Sequence, residues 1–90
     1  MYRLLYTEEA KKQIAKLGER TKVKAKEALE LISENPAIGK ALTRELKGRW
    51  SYRVGSYRIL YRIHRTDVLV FVLAVGHRRE IYFKSARKEW

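Results

Sequence analysis

The most constraining stretch is residues 50–64, where two alternating runs are separated by Gly55-Ser56. In the first, Trp50, Tyr52 and Val54 alternate with Ser51 and Arg53; in the second, Tyr57, Ile59, Tyr61 and Ile63 alternate with Arg58, Leu60, Arg62 and His64. A period of two with large and β-branched residues on one side is the pattern of half-buried strands. A two-residue link with glycine first is a type II′ hairpin turn. The turn fixes the register: Val54 faces Tyr57, and Arg53 faces Arg58. Two arginines stand directly opposite on one face, an arrangement that costs free energy through like-charge repulsion. The strands carry no acid to offset it. Either both side chains reach into solvent or an anion belongs between them.

The next run, residues 68–75, is apolar on both faces and reads as a central strand after a turn at Thr66-Asp67, with Gly76 closing it. Upstream, residues 2–6 form a short β-prone run. Thr7 offers a helix cap, with Glu8 and Glu9 in the first turn, where the helix dipole favours acids. Ala10, Ile14 and Leu17 share one helical face, and Gly18 is a stop. A second helix spans residues 19–34 with Ala25, Ala28, Leu29 and Ile32 as its stripe, ending at Asn35-Pro36. Residues 37–48 form a connector without strong pattern, in which Leu42 and Leu46 pack inward. Residues 83–90 are expected to form a short C-terminal helix. The order β-α-α-β-β-β(-α) predicts one α+β domain over residues 1–90. Its antiparallel sheet has about four strands, with the helical hairpin packed on one side.

Charge bears on function. The chain has 21 Lys and Arg against 10 Asp and Glu in 90 residues, a net charge of +11. Residues 1–45 have seven Lys and three Arg, whereas residues 46–90 have eight Arg, three Lys and eight of the ten aromatics. Arginine presents a planar fork suited to phosphate and stacks on bases, so this composition fits a surface that meets nucleic acid. A solvated basic face, or one meeting an acidic protein, is the plainer alternative. There is no cysteine, hence no disulfide or thiolate metal site. No run of 18 apolar residues and no signal-peptide pattern is present, so the expectation is a soluble cytoplasmic protein without membrane contact.

A second cluster follows the central strand in Gly76–Tyr82, with His77, Arg78, Arg79, Glu80 and Tyr82. Histidine exchanges protons near neutral pH, and arginine stabilises developing phosphate charge. A charged loop with an anchored tyrosine is the bland reading. His64 and His77 are the only histidines and no acidic cluster accompanies them, so no metal site and no cofactor are expected. A nuclease built on these residues would attack RNA with its own 2′-hydroxyl, the protein supplying positioning, proton transfer and cationic stabilisation.

The segments LKGRWSYRVGSYRILYRI, DVLVFVLAV and VGHRREIY together resemble the RelE/ParE superfamily of toxin–antitoxin toxins over nearly the whole chain. The hairpin is common to both branches; the VGHRREIY ending is closer to RelE-like members, which are ribosome-dependent mRNA endoribonucleases cutting in the A site and inhibiting translation. ParE-like members poison DNA gyrase and commonly lack the terminal tyrosine. The resemblance implies that Arg58 contacts the scissile phosphate. It implies that Arg78 stabilises the transition state or protonates the leaving group, and that Tyr82 stacks on the mRNA base. Arg53 matches the first of two lysines in the best-known members. The second, to which proton abstraction is assigned, falls near Gly55, where no basic side chain stands. Arginine stays protonated and is a poor base, so His77 or Tyr82 would take that role. Arg62, Arg79 and Lys84 are the further RNA-binding candidates. The implied partners are the ribosome with its mRNA and a RelB-like antitoxin, acidic over its binding segment, through which alone operator DNA is met. The antitoxin would cover the helical hairpin or displace residues 83–90. A homologue that only binds antitoxin is the remaining alternative, motivated by the missing base near Gly55.

Overall fold

The computed structural model describes residues 1–77. The expected C-terminal helix at 83–90 lies outside them, as do Arg78, Arg79, Tyr82 and Lys84. The described elements run β1 (Arg3–Tyr6), α1 (Glu8–Ala15), α2 (Glu19–Glu34), β2 (Lys40–Ala41), β3 (Trp50–Val54), β4 (Tyr57–His64) and β5 (Leu69–His77). Short 3₁₀ turns at Pro36–Ile38 and Arg44–Leu46 flank β2. The strands form one sheet in the order β1-β5-β4-β3-β2.

The α+β class holds, and α2, β3 and β4 have the expected bounds. The sheet differs in two respects. It has five strands, and it is mixed, because β1 runs parallel to β5, with Arg3 opposite Leu69 and Tyr6 opposite Val72. A strand apolar on both faces suits an interior position; β4 takes one edge of β5, and β1 takes the other. β2 is two residues long, too short to leave a period in the sequence. β5 starts at Leu69, since Val68 belongs to the turn with φ +53°, and it runs through Gly76 to His77.

α1 ends at Ala15, two residues short of the expected face, and Gly18 serves as the N-cap of α2. Leu17 still packs on the core. Thr7 caps α1 as expected: its hydroxyl accepts from Ala10 N–H at 3.0 Å and donates to the Leu73 carbonyl at 2.7 Å. Val75 N–H donates to Gln13 Oε1 at 2.7 Å. β1 pairs with β5 only as far as Val72, so these two side chains continue along β5 the hydrogen bonding that β1 leaves off.

One face of the sheet packs against the helices. Ala28, Leu29 and Ile32 of α2 meet Ile59, Tyr61, Val70, Val72 and Val75 in a core sealed from water. Tyr61 is fully buried; its hydroxyl donates to the Pro36 carbonyl at 2.6 Å. A side chain at Gly39 would collide with that hydroxyl, so glycine is required there. The other face bears a smaller cluster of Leu60, Leu73 and Ala74 with Leu42 and Phe71 against it. Among the described residues no helix is long and apolar enough to cross a membrane.

Candidate active site

The site is built on the face away from the helices, and the β3–β4 hairpin positions it. Gly55 has φ +60°, the left-handed conformation that the first residue of a tight hairpin turn needs. Arg53 lies opposite Arg58, as the turn arithmetic requires. Arg53 is exposed and its Nε donates to the Gly55 carbonyl at 3.1 Å, curling over its own turn. Arg58 is half-buried; its Nη1 donates to Ser51 Oγ at 3.4 Å, and Ser51 is buried between the arginine and the sheet. Gly76 stands opposite Arg58 on β5, so that position puts no side chain on the face beside it. Arg58 also lines an open cleft of about 340 Å³ with Lys40, Thr43, Leu42 and Leu46. The cleft has an apolar floor beneath cationic walls, a shape that suits a nucleotide.

Among the described residues no carboxylate forms an ion pair with these arginines. Asp67, in the turn before β5, is the one acid between Trp50 and His77. Among the described residues the ion pair lies elsewhere, between Lys11 and Glu8 on α1. No group of three or more His, Asp or Glu side chains gathers among them.

Arg62 lies on the same face as Arg58, four residues further along β4. His77 does not join them. It pairs with Tyr57, and their rings meet edge-on at 6.1 Å between centroids, on the helix side of the sheet. The cause is a β-bulge: Leu60 faces Ala74 but Tyr61 faces Val72, which makes Leu73 an extra residue. The bulge reverses the alternation of β5 beyond it. Val75 and His77 therefore share the face of Ile59 and Tyr57, and Gly76 takes the face of Arg58. The structure thus places His77 on the face opposite Arg58 and Arg62. Arg78, Arg79, Tyr82 and Lys84 lie outside the described residues.

Two buried residues of this face escaped the sequence reading. Ser51 is the seat of Arg58. Arg49 precedes β3, only 7% exposed. The register that sets Trp50 opposite Tyr61 carries Arg49 opposite Arg62 one step further on. The same arithmetic that identified the Arg53–Arg58 pair was available for it. Its guanidinium is held by the Glu45 carbonyl, 3.2 Å from Nη1. Burial, and then the charge of Arg62, lowers its pKa from the usual arginine value.

This fold and its relatives agree. Residues 4–82 match the family model of the ParE toxin of type II toxin–antitoxin systems. The chain is 40% identical over 83 residues to toxin RelG of Mycobacterium tuberculosis, covering 90% of this chain and 95% of that one. It is 30% identical over 91 residues to the mRNA interferase toxin RelE of Escherichia coli K12, covering 97% and 96%. The crystal structure of the RelBE2 toxin–antitoxin complex of M. tuberculosis superposes with a TM-score of 0.78 at 39% identity, covering 86% of this chain and 98% of that one. Matched over most of its length by sequence and by fold, the chain belongs to the ParE toxin family of type II toxin–antitoxin systems and is a RelE-like toxin.

Proposed function

We propose that this toxin is a cytoplasmic, ribosome-dependent endoribonuclease that cuts mRNA in the A site without a metal ion. The observation that carries the reading is the Arg53–Arg58 pair, set cross-strand on the face away from the helices, in strands that hold no carboxylate. Two guanidinium forks at that spacing suit a phosphodiester. The name of the E. coli relative, an mRNA interferase, supports the same activity.

In this reading Arg58 grips the scissile phosphate, and Arg53 adds positive potential beside it. The ribose 2′-oxygen bonds to phosphorus while the bond to the 5′-oxygen breaks, leaving a cyclic phosphate and a 5′-hydroxyl. One proton leaves the 2′-hydroxyl and another reaches the 5′-oxygen. Arg78 stabilises the charge that develops and meets the leaving oxygen. Tyr82 stacks on the base. Tyr82 is also a candidate to accept the first proton. Arg62, Arg79 and Lys84 hold the RNA backbone. An acidic RelB-like antitoxin silences the toxin and brings it to operator DNA; that the relative was solved as a toxin–antitoxin complex supports an antitoxin partner.

The test is a translation reaction with purified ribosomes, mapped by primer extension. Wild type gives codon-positioned cuts; Arg58→Ala and Arg78→Ala each cut about 10²-fold more slowly. An uncut message, or undiminished cutting by Arg78→Ala and Tyr82→Phe, overturns the reading. A second reading rests on the ParE description of the matching family. Inhibition of gyrase supercoiling by stoichiometric toxin, with no mRNA cutting, would establish it instead.

A further inference from the structure

Arg49 and Arg62 form a second pair on the same face, in a different electrostatic condition. Arg49 is buried, and its Nε–H, like that of Arg62, is out of water and meets no acceptor. Among the described residues no acidic side chain bonds either guanidinium; Glu45 offers Arg49 its backbone carbonyl, not its carboxylate. A buried cation is costly unless it is paired, and two side by side are costlier. The chain nonetheless fixes Arg49 in place. Its N–H donates to the Leu46 carbonyl at 3.0 Å, and its own carbonyl accepts from Leu42 N–H at 2.9 Å. These segments also wall the cleft beside Arg58. Free-state stability does not explain the pair, because apolar residues of similar volume would fill the site at lower cost. A ligand anion does.

We propose that Arg49 and Arg62 form a second anion seat, which takes an RNA backbone phosphate flanking the one held by Arg53 and Arg58. The inference rests on the RNA reading above in naming RNA as the polyanion. Arg49 and Arg53 are four residues apart along one strand direction, about 13 Å, further than adjacent phosphates of one strand. Between them lie Ser51 and Leu60, which carry no charge. The hairpin thus presents two cationic stations with a neutral gap. Because Ser51 and Leu60 are buried, an RNA strand meeting both stations is gripped at separated phosphates rather than along the gap. Exposed lysines on the helices, by contrast, give attraction without register.

The experiment measures binding of a fluorescent single-stranded oligoribonucleotide, 2′-O-methylated so that it cannot be cut, to the full chain at several salt concentrations. One seated phosphate contributes about 0.7 to the slope of log K against log salt. Arg49→Met and Arg62→Gln should each lower that slope by about 0.7, and the double variant by little more than either, because one phosphate is shared. Arg62→Gln, at a half-buried position, keeps the test valid if Arg49→Met fails to fold. Unchanged slopes in folded variants overturn the seat. Higher thermal stability of wild type in inorganic phosphate, with unchanged RNA slopes, marks a free-anion site and also overturns it. So does weakened binding of an acidic antitoxin segment with unchanged RNA slopes, which would give the seat to a protein carboxylate. The ribosome assay separates the two proposals. A wild type that cuts no mRNA but shows the slope change removes the nuclease reading and keeps the seat. One that cuts with no slope change in the variants removes the seat alone.

Discussion

On the helix side of the sheet Ile59, Tyr61, Val70 and Val72 are sealed from water, and Tyr61 directs its hydroxyl to a backbone carbonyl. On the other side the same strands set Arg53 against Arg58 and carry Arg49 opposite Arg62. Adjacent residues of one strand thus obey opposite rules. The helix side lowers the free energy of the folded chain by burying apolar area and pairing polar atoms. The open side raises it by holding like charges together. In the reading proposed above, a polyanion offsets that repulsion.

The sharpest test of this division uses neighbours on β4. Ile59→Ala removes a fully buried side chain from the helix face and should cost about 2–5 kcal/mol of stability, read by urea denaturation. Arg58→Ala, one residue away, should cost under about 1 kcal/mol, while slowing mRNA cutting by about 10²-fold. If Arg58→Ala destabilised the fold as much as Ile59→Ala, the open face would be structural and the division would fail.

Tyr61 offers a test of the helix side by pH. Burial raises its pKa to about 12, from 10.0 for a free tyrosine. The folded state holds this proton more tightly than the unfolded chain. The stabilisation is therefore complete below pH 10 and is lost as pH rises through 12, about 2–3 kcal/mol in all. Tyr61→Phe strands the Pro36 carbonyl and costs about 1–3 kcal/mol near neutrality, but it has no phenol to ionise. The stability gap between wild type and Tyr61→Phe should shrink between pH 9 and pH 11.5 in urea titrations. A constant gap would mean that Tyr61 does not titrate with the fold.

The same division explains what could be read from the chain alone. Alternation is a local property, so β3, β4 and their register were legible from residues 50–64, and α2 from its stripe and Pro36. β5 is apolar on both faces, so its sequence holds no parity signal. Nothing in Leu69–His77 announces the bulge at Leu73 that turns His77 away from the arginines. The parallel pairing of β1 depends on which edge of β5 remains open, a tertiary fact. Arg49 was hidden for another reason. It precedes the first large apolar residue of β3, where a reading by hydrophobic pattern begins, although the hairpin register extends one residue past it.

The smallest expected effect is the most direct measure of the open face. Arg53 is exposed, and its bond to the Gly55 carbonyl is open to solvent, so losing that bond changes stability little. Directly opposite stands Arg58. Arg53→Gln keeps a polar side chain and removes the charge, and relief of cross-strand repulsion should raise stability by about 0.2–1 kcal/mol. Low salt should enlarge the gain, because the pair is screened over about 10 Å at 0.1 M. In the proposed function, where Arg53 adds to the potential at the scissile phosphate, the same substitution should weaken mRNA cutting. A gain in stability with a loss of activity from one neutralised charge is the signature of a face held in tension for its ligand. A loss of both would mean that Arg53 braces the hairpin turn, and that the fold completes this face without a polyanion.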